Sequence, residues 1–105
     1  MSLALAQPQL DAIAAACRRH QLLRMHFFGS ALRNDFDPSR SDLDVLVEFQ
    51  AIEPPALVKA YFDLERQLAS ITGQSVDLVM AAAIRNPYVQ RTIEASKRLI
   101  YEAVR

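Results

Sequence analysis

The chain has 105 residues, is 51% hydrophobic, and carries 12 basic and 12 acidic side chains for a formal charge of zero. That length bounds it to one domain with room for a real core, and the charge balance argues against a protein whose main business is nucleic acid or an anionic membrane. A single cysteine, Cys17, excludes an internal disulfide framework. No apolar run approaches the ~20 residues needed to cross a bilayer. The N-terminus lacks the basic-then-apolar pattern of a secretory leader, so a cytoplasmic location is expected.

Along the chain, PQLDAIAAACRRH over residues 8–20 predicts a helix, with Leu10, Ile13, Ala14 and Cys17 at helical spacing and Pro8 in an early position. Cys17 reads as a small buried hydrophobe in that helix, and the Arg18-Arg19 pair as its solvated end. A short apolar strand follows over 24–28 and stops at Gly29. Residues 30–34 predict a short helix opening at Gly29-Ser30, and DFDPSRS a loop with turn chemistry at Asp37-Pro38-Ser39. DLDVLVEF, Asp42 to Phe49, is the clearest strand. Pro54 and Pro55 punctuate the chain, a helix runs from Ala56 to a natural stop at Gly73, and QSVDLVM is a third strand. From about Pro87 to Val104 the pattern predicts one last amphipathic helix. Helices alternating with strands indicate an α/β fold, a small mixed sheet packed by helices. His20, His26, Tyr61, Tyr88 and Tyr101 read as structural or solvent-exposed groups, the tyrosines all on helices.

The chemistry concentrates between Phe27 and Phe49. Side chains two apart on a strand share a face, so Asp42 and Asp44 project together from an otherwise apolar run. Their repulsion is relieved by a proton or, better, by a divalent cation. Mg²⁺ takes one or two carboxylates and completes its shell with water and phosphates. Gly29-Ser30, after a strand and at a helix start, offers close backbone approach and free N–H groups for a phosphate. Together these point to a nucleoside triphosphate held through Mg²⁺. Asp77 is another acid inside a strand; from its own residues it reads equally as a strand-edge aspartate. If its strand neighbours that of Asp42 and Asp44, three carboxylates converge.

The stretch GSALRNDFDPSRSDLDVLVEF resembles the signature of the minimal nucleotidyltransferases of the DNA polymerase beta superfamily: Gly-Ser, an Arg shortly after, then Ser-Asp-x-Asp on a strand. The likeness runs down to SKRLIYEA near the C-terminus. It implies the polymerase beta palm-like nucleotidyltransferase fold, two Mg²⁺ ions on Asp42 and Asp44 with Asp77 as third carboxylate, and nucleotide contacts from Gly29, Ser30, Arg33 and Ser41. Arg33 has two readings, a triphosphate contact or a partner for Asp35. The pattern departs in two places. Asn34 follows Arg33 where Gly is common, and the loop before Ser41 is about one residue longer than the family pattern.

Larger relatives carry a further domain for the acceptor, and this chain has almost nothing beyond the nucleotide-binding core. The resemblance implies that the acceptor is a hydroxyl, a tyrosine in some members, of a HEPN-domain toxin adenylylated from ATP by its antitoxin. Two alternatives stand beside it: a non-catalytic antitoxin that masks its partner, and a subunit of a small-molecule nucleotidyltransferase. The high apolar fraction suggests a self- or partner-binding face on C-terminal helices around Ile93, Leu99 and Ile100, giving a homodimer or a hetero-oligomer.

Overall fold

The structure, a computed structural model, describes residues 5–29 and 42–103. Helix α1, Gln7–Arg19, buries Ile13, Ala16 and Cys17 on one face and places Arg18 and Arg19 in its last turn, where positive charge complements the helix dipole. Burial pushes the Cys17 thiol up to about 12, against a smaller opposing effect of Arg18, so it stays a neutral apolar group. Strand β1, Leu22–Phe28, begins two residues before the expected boundary at 24.

Strand β2, Leu43–Phe49, leads to helix α2, Pro54–Thr72. Pro54 and Pro55 form the first turn of that helix, because the first N–H groups of a helix have no intrahelical acceptor to lose. Ala60, Leu64, Leu68 and Thr72 are buried at four-residue spacing along one side. Gly73 ends the helix in a left-handed conformation, φ 71°, with its N–H donating to the Ala69 carbonyl at 2.9 Å. Strand β3, Val76–Met80, and a 3-10 turn over Ala81–Ala83 follow.

The C-terminal region differs from the expected single helix. Helix α3, Pro87–Ser96, is capped by the Asn86 side chain, which accepts from the Tyr88 and Val89 N–H groups. It stops at Lys97, whose backbone is extended, and strand β4, Arg98–Glu102, takes over. At that end Thr92 donates its hydroxyl to the Tyr88 carbonyl and Ser96 to the Thr92 carbonyl, a side-chain competition that weakens helix propagation. The outer edge of β1 supplies ladder partners for the chain that follows. Tyr101 therefore lies on a strand, and Leu99 and Ile100 are strand residues as well. Of the residues expected to form a binding face on C-terminal helices, Ile93 is buried within the chain itself, while Leu99 is exposed but on a strand.

The sheet order is β3-β2-β1-β4. The β2–β3 pair is parallel and the other two are antiparallel. One face carries Met25, Phe27, Leu43, Val45, Val47 and Leu78 and packs against Ile13, Cys17, Leu64 and Leu68 of α1 and α2 to form the core. That packing leaves the alternate residues of every strand on the opposite face, where the acids lie.

Candidate functional site

The parallel register pairs Leu43 with Val76, Asp44 with Asp77 and Leu46 with Val79. The Leu43 N–H donates to the Ser75 carbonyl at 2.8 Å, which ties the two strand starts together. Directly opposed residues point to the same face, so Asp77 projects beside Asp44, and Asp42 lies two residues before Asp44 on that face. The condition set by the sequence, that the strand of Asp77 adjoin that of Asp42 and Asp44, is met. Asp42 and Asp77 are exposed and Asp44 is half-buried. Among the described residues no group of three His, Cys, Asp or Glu side chains stands close enough to hold a metal ion as the side chains lie. The backbone therefore brings the three acids to one place without gathering their carboxylates. Carboxylate oxygens alone are a donor set for a hard divalent cation such as Mg²⁺, which needs only one or two of them.

Gly29 is bound to this acid pair by geometry. Phe28 pairs directly with Asp44 across the β1–β2 ladder, so the chain leaves β1 beside that carboxylate. Gly29 has φ +67°, and a Cβ placed on it would lie 2.5 Å from Asp44 Oδ2 and 3.4 Å from its Cγ. Both the left-handed backbone and the space taken by the carboxylate demand a residue without a side chain. Ser30, Arg33 and Ser41 lie outside the described residues, as do the expected short helix over 30–34 and the loop that follows.

The rest of that face is ordered in transverse rows. Leu46 pairs with Val79 on one side and with His26 on the other, and His26 pairs with Leu99, giving an apolar band across the sheet. One row further, Arg24 pairs with Glu48 and Glu102, donating from Nε to Glu102 Oε2 at 2.8 Å and lying 3.4 Å by Nη1 from Glu48 Oε1. Acids thus occupy one end of the face and a closed ion network the other. His26 is buried, and its Nδ1 has no hydrogen-bond partner among the described residues. Burial, then the Lys97 ammonium, pushes its pKa below the ordinary histidine value, against the opposing pull of Glu48 and Glu94. Ile93 of α3 and Leu46 line a cavity of about 220 Å³ over this band together with Ala81, Ile84, Gln90 and Glu94.

A cavity of about 500 Å³ lies at the far end of the strands, between Phe49, Leu57 and Met80. It is separated from Asp44 by most of the length of β2. Tyr61 packs as expected. Its hydroxyl donates to the Leu78 carbonyl, and burial, then Glu65 and Asp77, raise its pKa. Tyr88 is exposed on α3 with the Arg91 guanidinium 5.5 Å from its ring centroid.

With this geometry in view, the profile of the family described as "Nucleotidyltransferase domain" matches residues 10–100. A Methanocaldococcus jannaschii protein named "Putative protein adenylyltransferase MJ0128" is 41% identical over 83 residues, which is 79% of this chain and 79% of that protein. A solved structure described as a "putative minimal nucleotidyltransferase" has a TM-score of 0.73 at 26% identity, covering 93% of this chain and 95% of that one. A chain from the solved complex of a tri-AMPylated Shewanella oneidensis HEPN toxin with its MNT antitoxin has a TM-score of 0.59 at 20% identity, covering 92% of this chain and 72% of that one, and shows a shared fold.

Proposed function

The chain belongs to the nucleotidyltransferase domain family, and from that premise we propose that it moves the adenylyl group of ATP onto a hydroxyl of a protein partner. The observation that carries this reading is the Asp44–Asp77 register beside Gly29. It sets two acids in one row and a side-chain-free turn against one of them, where a triphosphate can approach the backbone closely. The similarity to proteins named as protein adenylyltransferases supports a protein acceptor. The fold shared with a toxin–antitoxin complex supports a HEPN-domain toxin as the partner, with this chain as its antitoxin.

In the reaction, the acceptor oxygen attacks the α-phosphorus of ATP, the bond from that phosphorus to the β-phosphate bridging oxygen breaks, and pyrophosphate leaves. The hydroxyl proton passes to solvent. Asp42 and Asp44 would hold Mg²⁺ together with the phosphates, and Asp77 would hold a second ion on the acceptor side. When bound, the metal neutralises charge on the triphosphate and makes the acceptor hydroxyl easier to deprotonate. Gly29 keeps the Asp44 carboxylate in one position by leaving its space free, and Phe28 walls the row on the β1 side. Ser30, Arg33 and Ser41 complete the nucleotide contacts in this reading. The chain's own contribution is positioning and charge placement, the usual source of rate in phosphoryl and nucleotidyl transfer.

Asp77→Asn tests this directly. It should keep measurable Mg·ATP affinity through Asp42 and Asp44, yet lose transfer by about a thousandfold or more, because the missing carboxylate acts mainly in the transition state. A growth-rescue assay run beside mass spectrometry of the partner separates transfer from masking. Full rescue by Asp77→Asn without nucleotide on the partner would refute the enzymatic reading and leave neutralisation by binding.

A further inference from the structure

The row that carries the two acids extends beyond them. Asp77 pairs with Asp44, and Asp44 with Phe28. On the other side of β1, the register pairs His26 with Leu99 and Phe27 with Arg98. One further step of that register sets Lys97 across from Phe28, with its backbone already extended at φ −65°, ψ 144°. The irregularity in this ladder falls between Met25 and His26, so it does not disturb the step from Arg98 to Lys97. Lys97 therefore shares the face of Leu99, His26 and Phe28, which is also the face of Asp44 and Asp77.

A second observation agrees. The Lys97 ammonium is the largest charge effect on buried His26, pushing its pKa down. His26 is on this face and pairs with Leu46, two residues from Asp44. The positive charge thus lies over the sheet, and its side chain is only 24% exposed.

We propose that Lys97 contacts the polyphosphate of the bound nucleotide, reaching over Phe28 toward the Asp44–Asp77 end of the row. Adjacent strands are ~4.8 Å apart, so Lys97 and Asp44 stand about 10 Å apart across Phe28. A flexible four-carbon stem covers much of that span, and the compact ammonium carries three donors for phosphate oxygens. Its present partner holds it loosely. Lys97 Nζ lies 2.8 Å from Glu94 Oε1, but Glu94 is 66% exposed and only three residues away. A pair whose acid is this exposed contributes little and is easily exchanged for a more highly charged partner. Glu94 then acts as a resting place for the ammonium, released when nucleotide arrives. The proposal rests on the nucleotide-binding reading of the site.

Calorimetric titration of the full chain with Mg·ATP and, separately, with AMP tests it. Lys97→Met should weaken Mg·ATP by about ten- to hundredfold, the usual effect of removing a charge-assisted hydrogen bond, and leave AMP affinity within about twofold of wild type. Lys97→Arg should restore most of the loss. Glu94→Gln, which breaks the same ion pair but keeps the ammonium, should bind Mg·ATP as well as wild type or better. Equal Mg·ATP affinity in Lys97→Met and wild type would overturn the assignment. So would an equal loss for AMP and ATP, or the same loss in Glu94→Gln, which would mark a purely structural pair. If wild type itself binds no Mg·ATP, the nucleotide-binding reading fails and Lys97 falls with it.

Discussion

Gly29→Ala should be among the most damaging single-methyl additions in this chain. The new Cβ would lie 2.5 Å from Asp44 Oδ2, where ordinary contact begins at 3.4 Å, so the carboxylate or the turn must move by nearly an ångström. A non-glycine residue at φ +67° costs about 1–2 kcal/mol in backbone strain. Pushing Asp44 off its rotamer costs about 0.5–1.5 kcal/mol more. Together these come to about 1.5–3.5 kcal/mol, which for a domain of this size lowers the melting temperature by about 6–28 °C. A shift of that kind at a positioned group also lowers transfer by about a hundredfold. Gly73 supplies the internal control. Its φ is +71°, but a Cβ there meets nothing within 4 Å, so Gly73→Ala should lose only the backbone share, about 1–2 kcal/mol, and keep transfer activity. The assay is thermal unfolding by circular dichroism beside nucleotide transfer for both variants. Equal losses of stability and of activity at the two glycines would refute the steric link between Gly29 and Asp44.

Other outcomes follow from the packing. Leu64→Ala, at a fully buried core position, should cost about 2–5 kcal/mol in chemical denaturation, with most of the loss in midpoint and little in slope. Because His26 resists protonation in the folded chain, its contribution to stability is complete above the unfolded histidine value of about 6.5 and is lost as pH falls below it. The groups facing it are Lys97 and Arg24, which lower its pKa, and Glu48 and Glu94, which raise it. Melting temperature should thus drop between pH 7 and pH 5 in wild type and drop less in His26→Leu; parallel curves would show that His26 does not set the slope. Tyr61→Phe removes the hydroxyl that donates to the Leu78 carbonyl and should cost about 0.5–1.5 kcal/mol, read as a lower melting temperature of the same cooperative transition.

Most of the fold is legible where one local pattern decides it. Leu43, Val45 and Val47 alternate with Asp44 and Leu46, and that alternation alone places the acids on the face away from the core. Gly73 ends α2 because glycine takes the left-handed conformation there at no steric cost. The C-terminal region was not legible in the same way. KRLIYEA holds good helix formers, and what turns it into β4 is the open edge of β1, more than 70 residues earlier in the sequence, where Arg24 meets Glu102. Local propensity carries no record of such a partner. The site divides along the same line. Asp42 and Asp44 are visible from their spacing, while the place of Asp77 depends on a parallel pairing that no local pattern encodes. Gly29 reads from sequence as a residue for close ligand approach; the structure adds that the Asp44 carboxylate fills the space its side chain would need. Lys97 was hidden because a helix in place of β4 removes it from the row.

The most direct test of nucleotidyl transfer is the intact mass of a candidate HEPN-domain protein, the partner proposed above, after incubation with the chain and Mg·ATP. Wild type should add one or more adenylyl groups to the partner and release pyrophosphate in equal number, and Asp44→Asn, an isosteric change, should add none. An unmodified partner in the presence of wild type, with toxin activity nevertheless abolished, would contradict transfer as the working chemistry of the site.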